Sequence, residues 1–303
     1  MVENLDSSER TGGFASLALD AKNNPHIAYS YSLSGGHYSR LKYISRSGGN
    51  WKVETVDGAS ASYTGWFAVH VGWFASLALD AEGHPHIAYY DRSAIRLGEE
   101  INNLKYARKS GSSWTIETVD STGDVGKYAS LALDSESNPR IAYNFSYGEK
   151  PRYSQIRYAS KSKGNWTIVT VSTPRSAESN RFYILLALDS GDDPHMAYYE
   201  MTKWMHEGTP EYARKSRGTW IVETVDSGGN VGEHPSLALD TRGRPHIAYY
   251  DATNGHLKYA IKNERNWTVE TVDSTKLVGW FASLALDIYN NPRIAYYDAT
   301  NFT

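Results

Sequence analysis

Short apolar stretches alternate with polar turns along the whole chain, and no stretch sustains the 3.6-residue period of a helix. The pattern repeats. Ser-Leu-Ala-Leu-Asp ends at Asp20, Asp80, Asp134, Asp240 and Asp287, and Leu185 to Asp189 is a sixth copy, at intervals of 47 to 60 residues. A short polar turn and Pro-[His/Arg]-[Ile/Met]-Ala-Tyr follow each copy, from Pro25, Pro85, Pro139, Pro194, Pro245 and Pro292. Next comes Leu-Lys-Tyr or a variant, starting at Leu41, Leu104, Ile156, Glu211 and Leu257. The unit ends in Trp-x-[Val/Ile]-x-Thr-Val, or a variant of it, from Trp51, Trp114, Trp166, Trp220 and Trp267.

Each piece is β-branched or aromatic and bounded by Gly, Asn, Ser or Pro, which predicts four strands joined by turns. Runs such as Leu-Ala-Leu and Ile-Ala-Tyr-Tyr are apolar on both faces, so each sheet needs a neighbour on either side. Radial stacking of four-stranded sheets supplies them, and four strands per unit fit a propeller blade better than a solenoid coil. The prediction is an all-β, six-bladed β-propeller of four-stranded antiparallel blades. The blades fall at about 15–57, 75–120, 129–172, 184–226, 235–273, and 282–303 together with 2–6. Five are complete in the sequence, and the sixth carries its first two strands only. Val2 to Asp6 reads as a worn Val-Glu-Thr-Val-Asp and is expected to close the ring by pairing into the last blade. Length alone, at about 150 residues per domain, would suggest two domains; the repeat predicts one over 1–303.

The Ser-Leu-Ala-Leu-Asp strand with its tight turn resembles the blade grammar of NHL-type β-propellers, over Ala15 to Tyr297. Leu-Lys-Tyr followed by Gly-Ser-Ser-Trp also resembles the third-to-fourth strand turn of fucose-binding and related propeller lectins. The first resemblance implies the fold, the second a sugar ligand. The Asp-box of sialidase propellers is absent.

Composition narrows the chemistry. A net charge of −3 offers no positive surplus for nucleic acid or anionic lipid, so neither is expected as a partner. Zero cysteines remove thiol chemistry, disulfides and Cys-ligated metals, and leave the compartment undecided. No apolar stretch is long enough to span a bilayer, and Met1 to Gly13 lacks the apolar core of a signal peptide. No phosphate-binding glycine loop, nucleophile elbow or zinc helix is present, and no cofactor or metal is expected.

In a four-stranded blade the first-to-second and third-to-fourth turns lie at one end. Here they are short and monotonous, whereas the loops of the other end differ in nearly every copy, which is where function usually sits. Five of the nine tryptophans open fourth strands and are expected to pack between blades; Trp66, Trp73, Trp204 and Trp280 fall at the variable end. The slot two residues before the Ser of Ser-Leu-Ala-Leu-Asp holds Phe14, Phe74, Tyr128, Tyr183, His234 and Phe281. These six should ring the mouth of a central channel, either binding a ligand or plugging it. Exposed rings forgo a few kcal/mol each, a cost tolerated mainly where something binds.

The repeated aspartates read as turn caps. His26, His86, His195 and His246 share a slot that holds Arg140 and Arg293 in the other two copies, which points to structural hydrogen bonds rather than a metal. At the end of the second strand stand Asp91, Glu200, Asp251 and Asp298, with His206, Glu207 and Glu233 nearby. The expected ligand-binding set is therefore Trp66, Trp73, Phe74, Asp91, Tyr128, Tyr183, Glu200, Trp204, His206, His234, Trp280 and Phe281. The first functional expectation is a lectin-like, carbohydrate-binding propeller whose partner is a sugar or other small polar ligand. The alternatives are a glycoside hydrolase or polysaccharide lyase using Asp91, Glu200, His206 and Glu207, and a protein-interaction scaffold.

Overall fold

The computed structural model describes residues 5–6, 12–33, 38–58, 69–96, 99–147, 153–173, 180–203 and 207–300. The described residues are built from antiparallel sheets. The first sheet is β1 (Gly13–Leu19), β2 (Pro25–Leu33), β3 (Tyr38–Ser47) and β4 (Asn50–Gly58), and the second is β5 (His70–Leu79), β6 (Pro85–Arg96), β7 (Glu99–Ser110) and β8 (Ser113–Asp120). The third comprises β9 (Asp124–Leu133), β10 (Pro139–Tyr147), β11 (Tyr153–Ser162) and β12 (Asn165–Ser172), and meets the second through a single parallel bridge, Asn102–Asp124. The fourth is β13 (Asn180–Leu188), β14 (Pro194–Lys203), β15 (Glu207–Ser216) and β16 (Thr219–Thr224). The fifth is β17 (Val231–Leu239), β18 (Pro245–Asp251), β19 (His256–Asn263) and β20 (Asn266–Asp273), and β21 (Val278–Leu286) with β22 (Pro292–Asp298) makes a two-stranded sixth. Two compact units divide the chain, one of residues 1–146 and 159–168, the other of 147–158 and 169–303.

The turn grammar has a direct physical origin. Asp20 Oδ1 accepts the amides of Lys22 and Asn24 at 2.8 Å each, and Asp80, Asp134, Asp189, Asp240 and Asp287 cap their turns in the same way. The third residue after the aspartate is left-handed in every copy, which explains why Asn23, Gly83, Asp192, Gly243 and Asn290 occupy it in five copies, with Ser137 in the sixth. Proline then opens the second strand, where a missing amide is tolerated.

Cores form between neighbouring sheets. In the first unit Leu41, Tyr43 and Val56 of the first sheet meet Val71, Leu77 and Ile87 of the second. In the second unit Ala197, Tyr212 and Val225 meet Val231, Ile247 and Tyr249. The fourth-strand tryptophans serve these seams: Trp114 lies edge-on to Tyr43 and Trp267 to Tyr212, both with ring centroids 5.3 Å apart. Two of the seams in the first unit are fastened by a carboxylate. Glu54 accepts Lys109 Nζ at 2.7 Å and Trp114 Nε1 at 3.1 Å, and Glu117 accepts Lys161 and Trp166 likewise. Serines bridge adjacent first strands, Ser16 Oγ accepting the Leu77 amide and Ser76 Oγ that of Leu131.

Register corrects one alignment read from the sequence. Tyr89 faces Lys105 and Tyr249 faces Lys258, whereas the matching Tyr198 faces Glu211. Glu211 therefore stands in the lysine slot and not at the leucine that begins the motif.

Candidate functional site

A crimp at the variable end of each first strand positions the aromatic slot. Phe14, Phe74, Tyr128, Tyr183, His234 and Phe281 all have φ between 50° and 54°, at a register slip against the second strand. Bulky side chains rarely adopt this left-handed region, and each instance costs on the order of 1–3 kcal/mol. Strain repeated at one position of every copy is a built feature of the strand and not an accident of one turn. Two residues earlier, five copies place a glycine of positive φ. A Cβ on Gly72 would lie 2.8 Å from Leu41 Cα, and one on Gly126 2.9 Å from Leu104 Cα, so the crimp is pressed against the third strand of the preceding sheet.

In the first unit the slot residues make an arc, Phe14–Phe74–Tyr128, with ring centroids 4.6 and 4.5 Å apart. Trp73 stacks on His70 at 3.8 Å and leans on Phe14 at 5.3 Å. Beside the arc, Asp124 accepts Lys127 Nζ at 2.6 Å and the Tyr90 hydroxyl at 3.2 Å, while Lys127 lies 5.5 Å above the Tyr90 ring.

The second unit carries the arc Tyr183–His234–Phe281, with centroids 4.2 and 4.1 Å apart. Trp280 stands edge-on to Tyr250 at 5.5 Å, and Phe281 is 63% exposed. Glu233, half-buried immediately before His234, accepts Asn230 Nδ2 at 3.1 Å, and Asn230 Oδ1 accepts the Tyr199 hydroxyl at 2.6 Å. Burial pushes the His234 imidazole down to about 4, so it is neutral at pH 7. Burial, and then the Glu233 charge, raises the Tyr183 and Tyr199 phenols, which stay protonated. The Glu233 carboxyl group, the neutral His234 imidazole and the protonated Tyr183 phenol thus adjoin the exposed Phe281 ring, and the Tyr199 hydroxyl is buried behind them.

The residue just before the slot takes five identities in six copies: Gly13, Trp73, Lys127, Phe182, Glu233 and Trp280. The scaffold repeats, but the chemistry mounted on it does not.

The two predicted second-strand carboxylates sit below this surface. Asp91 is 0% exposed and pairs with Lys105 Nζ at 2.7 Å; that lysine also reaches Asp57, which accepts the Tyr89 hydroxyl. Glu200 is 1% exposed and shares the buried interior of the fourth sheet with Glu211, whose Oε1 accepts the Thr209 and Thr224 hydroxyls at 2.9 and 3.0 Å. Of the remaining expected residues, Trp66, Trp204 and His206 lie outside the described residues. Glu207 is exposed and pairs across to Lys203 at the tip of its hairpin. Lys127 and Tyr90 were not anticipated; the divergence of the position before the slot is the sequence signal that marks Lys127.

The opposite end holds the histidine slot. His86 Nδ1 lies 2.5 Å from the Tyr106 hydroxyl and its Nε2 3.5 Å from Asp80; His195, Tyr212 and Asp189 repeat the arrangement. Burial lowers both imidazoles. Asp80, Glu82 and His84 bring three potential ligand atoms within 4.8 Å of one another, but Asp80 is already taken up by the Glu82 and His84 amides and the His84 ring. A cavity of about 280 Å3 at this end of the second unit is lined by Arg214, Arg242, Arg244, Lys262 and Asp189.

No family model matches the chain, and no curated protein matches it. Solved structures do. A protein of unknown function from Dyadobacter fermentans superposes with a TM-score of 0.61 at 11% identity, over 95% of this chain and 90% of that one. An α-L-arabinanase from Penicillium chrysogenum, complexed with arabinobiose, gives 0.59 at 12% identity over 98% and 95%. An ulvan lyase of polysaccharide lyase family PL25, bound to -[GlcA(1-4)Rha3S]-, gives 0.60 at 12% identity over 90% and 72%. The arabinanase and the lyase are β-propellers, and the likeness shows that this chain shares their fold.

Proposed function

We propose that the protein is a carbohydrate-active β-propeller enzyme that cleaves a glycosidic linkage at its aromatic end. The observation that carries this reading is Glu233, half-buried beside neutral His234 and the rings of Tyr183, Tyr199 and Phe281. Exposed rings suit the apolar faces of sugars, while glycosidic cleavage needs a group that moves a proton at the linkage oxygen. Arabinanase and ulvan lyase activities on the same fold support cleavage over capture. Glu233 is the proton-transfer group in this reading, with His234 or Tyr183 as its partner. Trp280 and Phe281 are proposed as stacking platforms in the second unit, and Trp73, Phe74 and Tyr128 as stacking platforms in the first; Trp66, Trp204 and His206, outside the described residues, are proposed as further ligand contacts. Asp91 and Glu200 are proposed to hold the strand ends beneath the site.

The finer architecture belongs to the same proposal: six copies of the repeat make six blades of NHL-like grammar. Asp6 is proposed to stand where the carboxylate that ends a fourth strand stands in the other blades. In support, Asp6 accepts the Tyr29 hydroxyl at 2.7 Å and Lys42 Nζ at 3.0 Å, the two bonds that Asp57 takes from Tyr89 and Lys105.

Release of reducing or unsaturated ends from arabinan, ulvan and related polysaccharides tests the reading. Glu233→Gln is expected to lower cleavage by about a hundredfold or more while binding of the same glycan stays within a few-fold. Binding without cleavage by the wild-type protein would instead favour the lectin-like alternative, which the exposed rings also suit.

A further inference from the structure

The cavity of about 280 Å3 at the histidine end of the second unit lies in the seam between the fourth and fifth sheets. Tyr212 meets Trp267 across this seam, and Arg214, two residues on in β15, stands on the same face of the strand and lines the cavity. From the fifth sheet the turn between β17 and β18 brings Arg242 and Arg244 to the same space. Gly243 between them rests on the fourth sheet, since a Cβ there would lie 3.5 Å from Asp189 Cβ.

The first unit holds a cavity of about 410 Å3 in its matching seam, with Ser45 and Glu82 at the positions of Arg214 and Arg242. The repeat therefore supplies the space, and two substitutions within it reverse the charge. Most charges around the second cavity are already matched. Asp240 takes Arg244 Nε at 2.6 Å, Glu223 takes Lys262, and Asp189 is occupied by the Gly191 and Asp193 amides with His195 Nε2 at 3.4 Å. Asp193 and Glu264, the other acids of the lining, are exposed. Arg108, the counterpart of Arg214 in the second sheet, lies 4.0 Å from Asp80 of its own sheet. Among the described residues, the Arg214 and Arg242 guanidinium groups have no ion pair or hydrogen bond. Both spring from fixed backbone. Arg214 is held in the ladder opposite His195 and Ile221, and Asp240 Oδ1 accepts the Arg242 and Arg244 amides at 2.9 and 2.8 Å.

We propose that this cavity binds a tetrahedral oxyanion, sulfate or phosphate, between Arg214 and Arg242. One guanidinium fork satisfies both oxygens of a carboxylate; two forks from different sheets call for the further acceptor oxygens of a tetrahedral ion. Arg244 and Lys262 add positive charge around the ion while keeping their own partners. The volume is close to the lower end of the ~300–1,000 Å3 of small-molecule clefts, so there is room for the ion alone or for a small polyol that carries it as an ester. The rigid backbone on both sides keeps the ordering cost of binding low. The site is independent of Glu233 and of any glycosidic cleavage.

Calorimetric titration of the full chain with inorganic phosphate, inorganic sulfate, glucose 6-phosphate and acetate, at constant ionic strength, tests the site. Phosphate and sulfate are expected to saturate one site at least tenfold more tightly than acetate. Tighter binding of glucose 6-phosphate than of phosphate identifies an ester as the ligand, and equal or weaker binding identifies the free ion. Arg214→Gln and Arg242→Gln should each weaken phosphate about tenfold or more and leave the ligand-free Tm in place, because neither guanidinium has an internal partner to lose. Lys22→Gln, at the position of the first sheet that matches Arg242, should leave phosphate binding unchanged. Phosphate binding that survives the Arg214→Gln/Arg242→Gln double variant, acetate binding as tight as phosphate, or no saturation below about 10 mM overturns the proposal.

Discussion

Fourteen non-glycine residues with positive φ are found among those described, and six of them are the aromatic slot. That concentration makes His234 informative. It occupies a slot filled by phenylalanine in three other copies, so His234→Phe exchanges the side chain while keeping a backbone known to accept the ring. The imidazole titrates at about 4 in the folded protein against an ordinary value near 6.5. Between those values the unfolded chain binds more protons than the folded one, so stability is complete above pH 6.5 and falls as the pH drops towards 4. The wild-type Tm is expected to fall over that window, and His234→Phe to fall less. Parallel slopes for the two proteins would mean that His234 is charged or solvated. A sequence shows the aromatic slot as a column of letters; the left-handed backbone beneath it is invisible there, since a phenylalanine at φ 52° and one in an ordinary strand are spelled alike.

At the level of strands, the glycine before the slot and the serine after it do separate work. Gly12 and Gly72 share a φ of 87°, but a Cβ at Gly12 has nothing within 4 Å, whereas at Gly72 it meets the Leu41 main chain. Alanine at either position carries a left-handed penalty of about 1–2 kcal/mol. At Gly72 it adds an overpacking cost of about 1–3 kcal/mol. Urea denaturation should therefore rank Gly72→Ala well below Gly12→Ala. Ser76→Ala deprives the Leu131 amide of its acceptor and is expected to cost about 1–3 kcal/mol; a change of a few tenths would show that water replaces the hydroxyl. Strands and turns were legible because short β-branched and aromatic runs, Asp-capped turns and strand-opening prolines are local signals. The lysine slot of the fourth sheet was not, because Glu211 resembles neither of its counterparts and only strand register aligns it. The burial of Asp91 was likewise hidden, since its charge is met by Lys105 of the next strand, a contact that no spacing in the sequence reveals.

For the molecule as a whole, acid should be the main threat to stability, and in two stages. His86, His195, His234 and His246 are all lowered by burial, so stability first declines as the pH falls below about 6.5. The carboxylates follow. Burial works to raise Glu54, but hydrogen bonds from Lys109, Lys52 and Trp114 more than reverse it and hold the group at about 2. Glu117 is lowered through Lys161 and Trp166 in the same manner. A group held below its ordinary value contributes stability above that value and loses it as the pH falls, so a steeper decline is expected from about pH 4.5 towards 2. Glu54→Gln and Glu117→Gln should each lower Tm at pH 7 and flatten this second stage. A single transition near pH 4, untouched by either substitution, would assign the seams to apolar packing alone.

The crimped backbone also bears on how such a protein can change. Its strain is a fixed charge on the fold, levied whether the slot holds phenylalanine, tyrosine or histidine, and the position before it already hosts glycine, tryptophan, lysine, phenylalanine and glutamate. Side chains there can therefore be exchanged without renegotiating the strand that carries them. New specificity can be reached one substitution at a time, through intermediates that all fold.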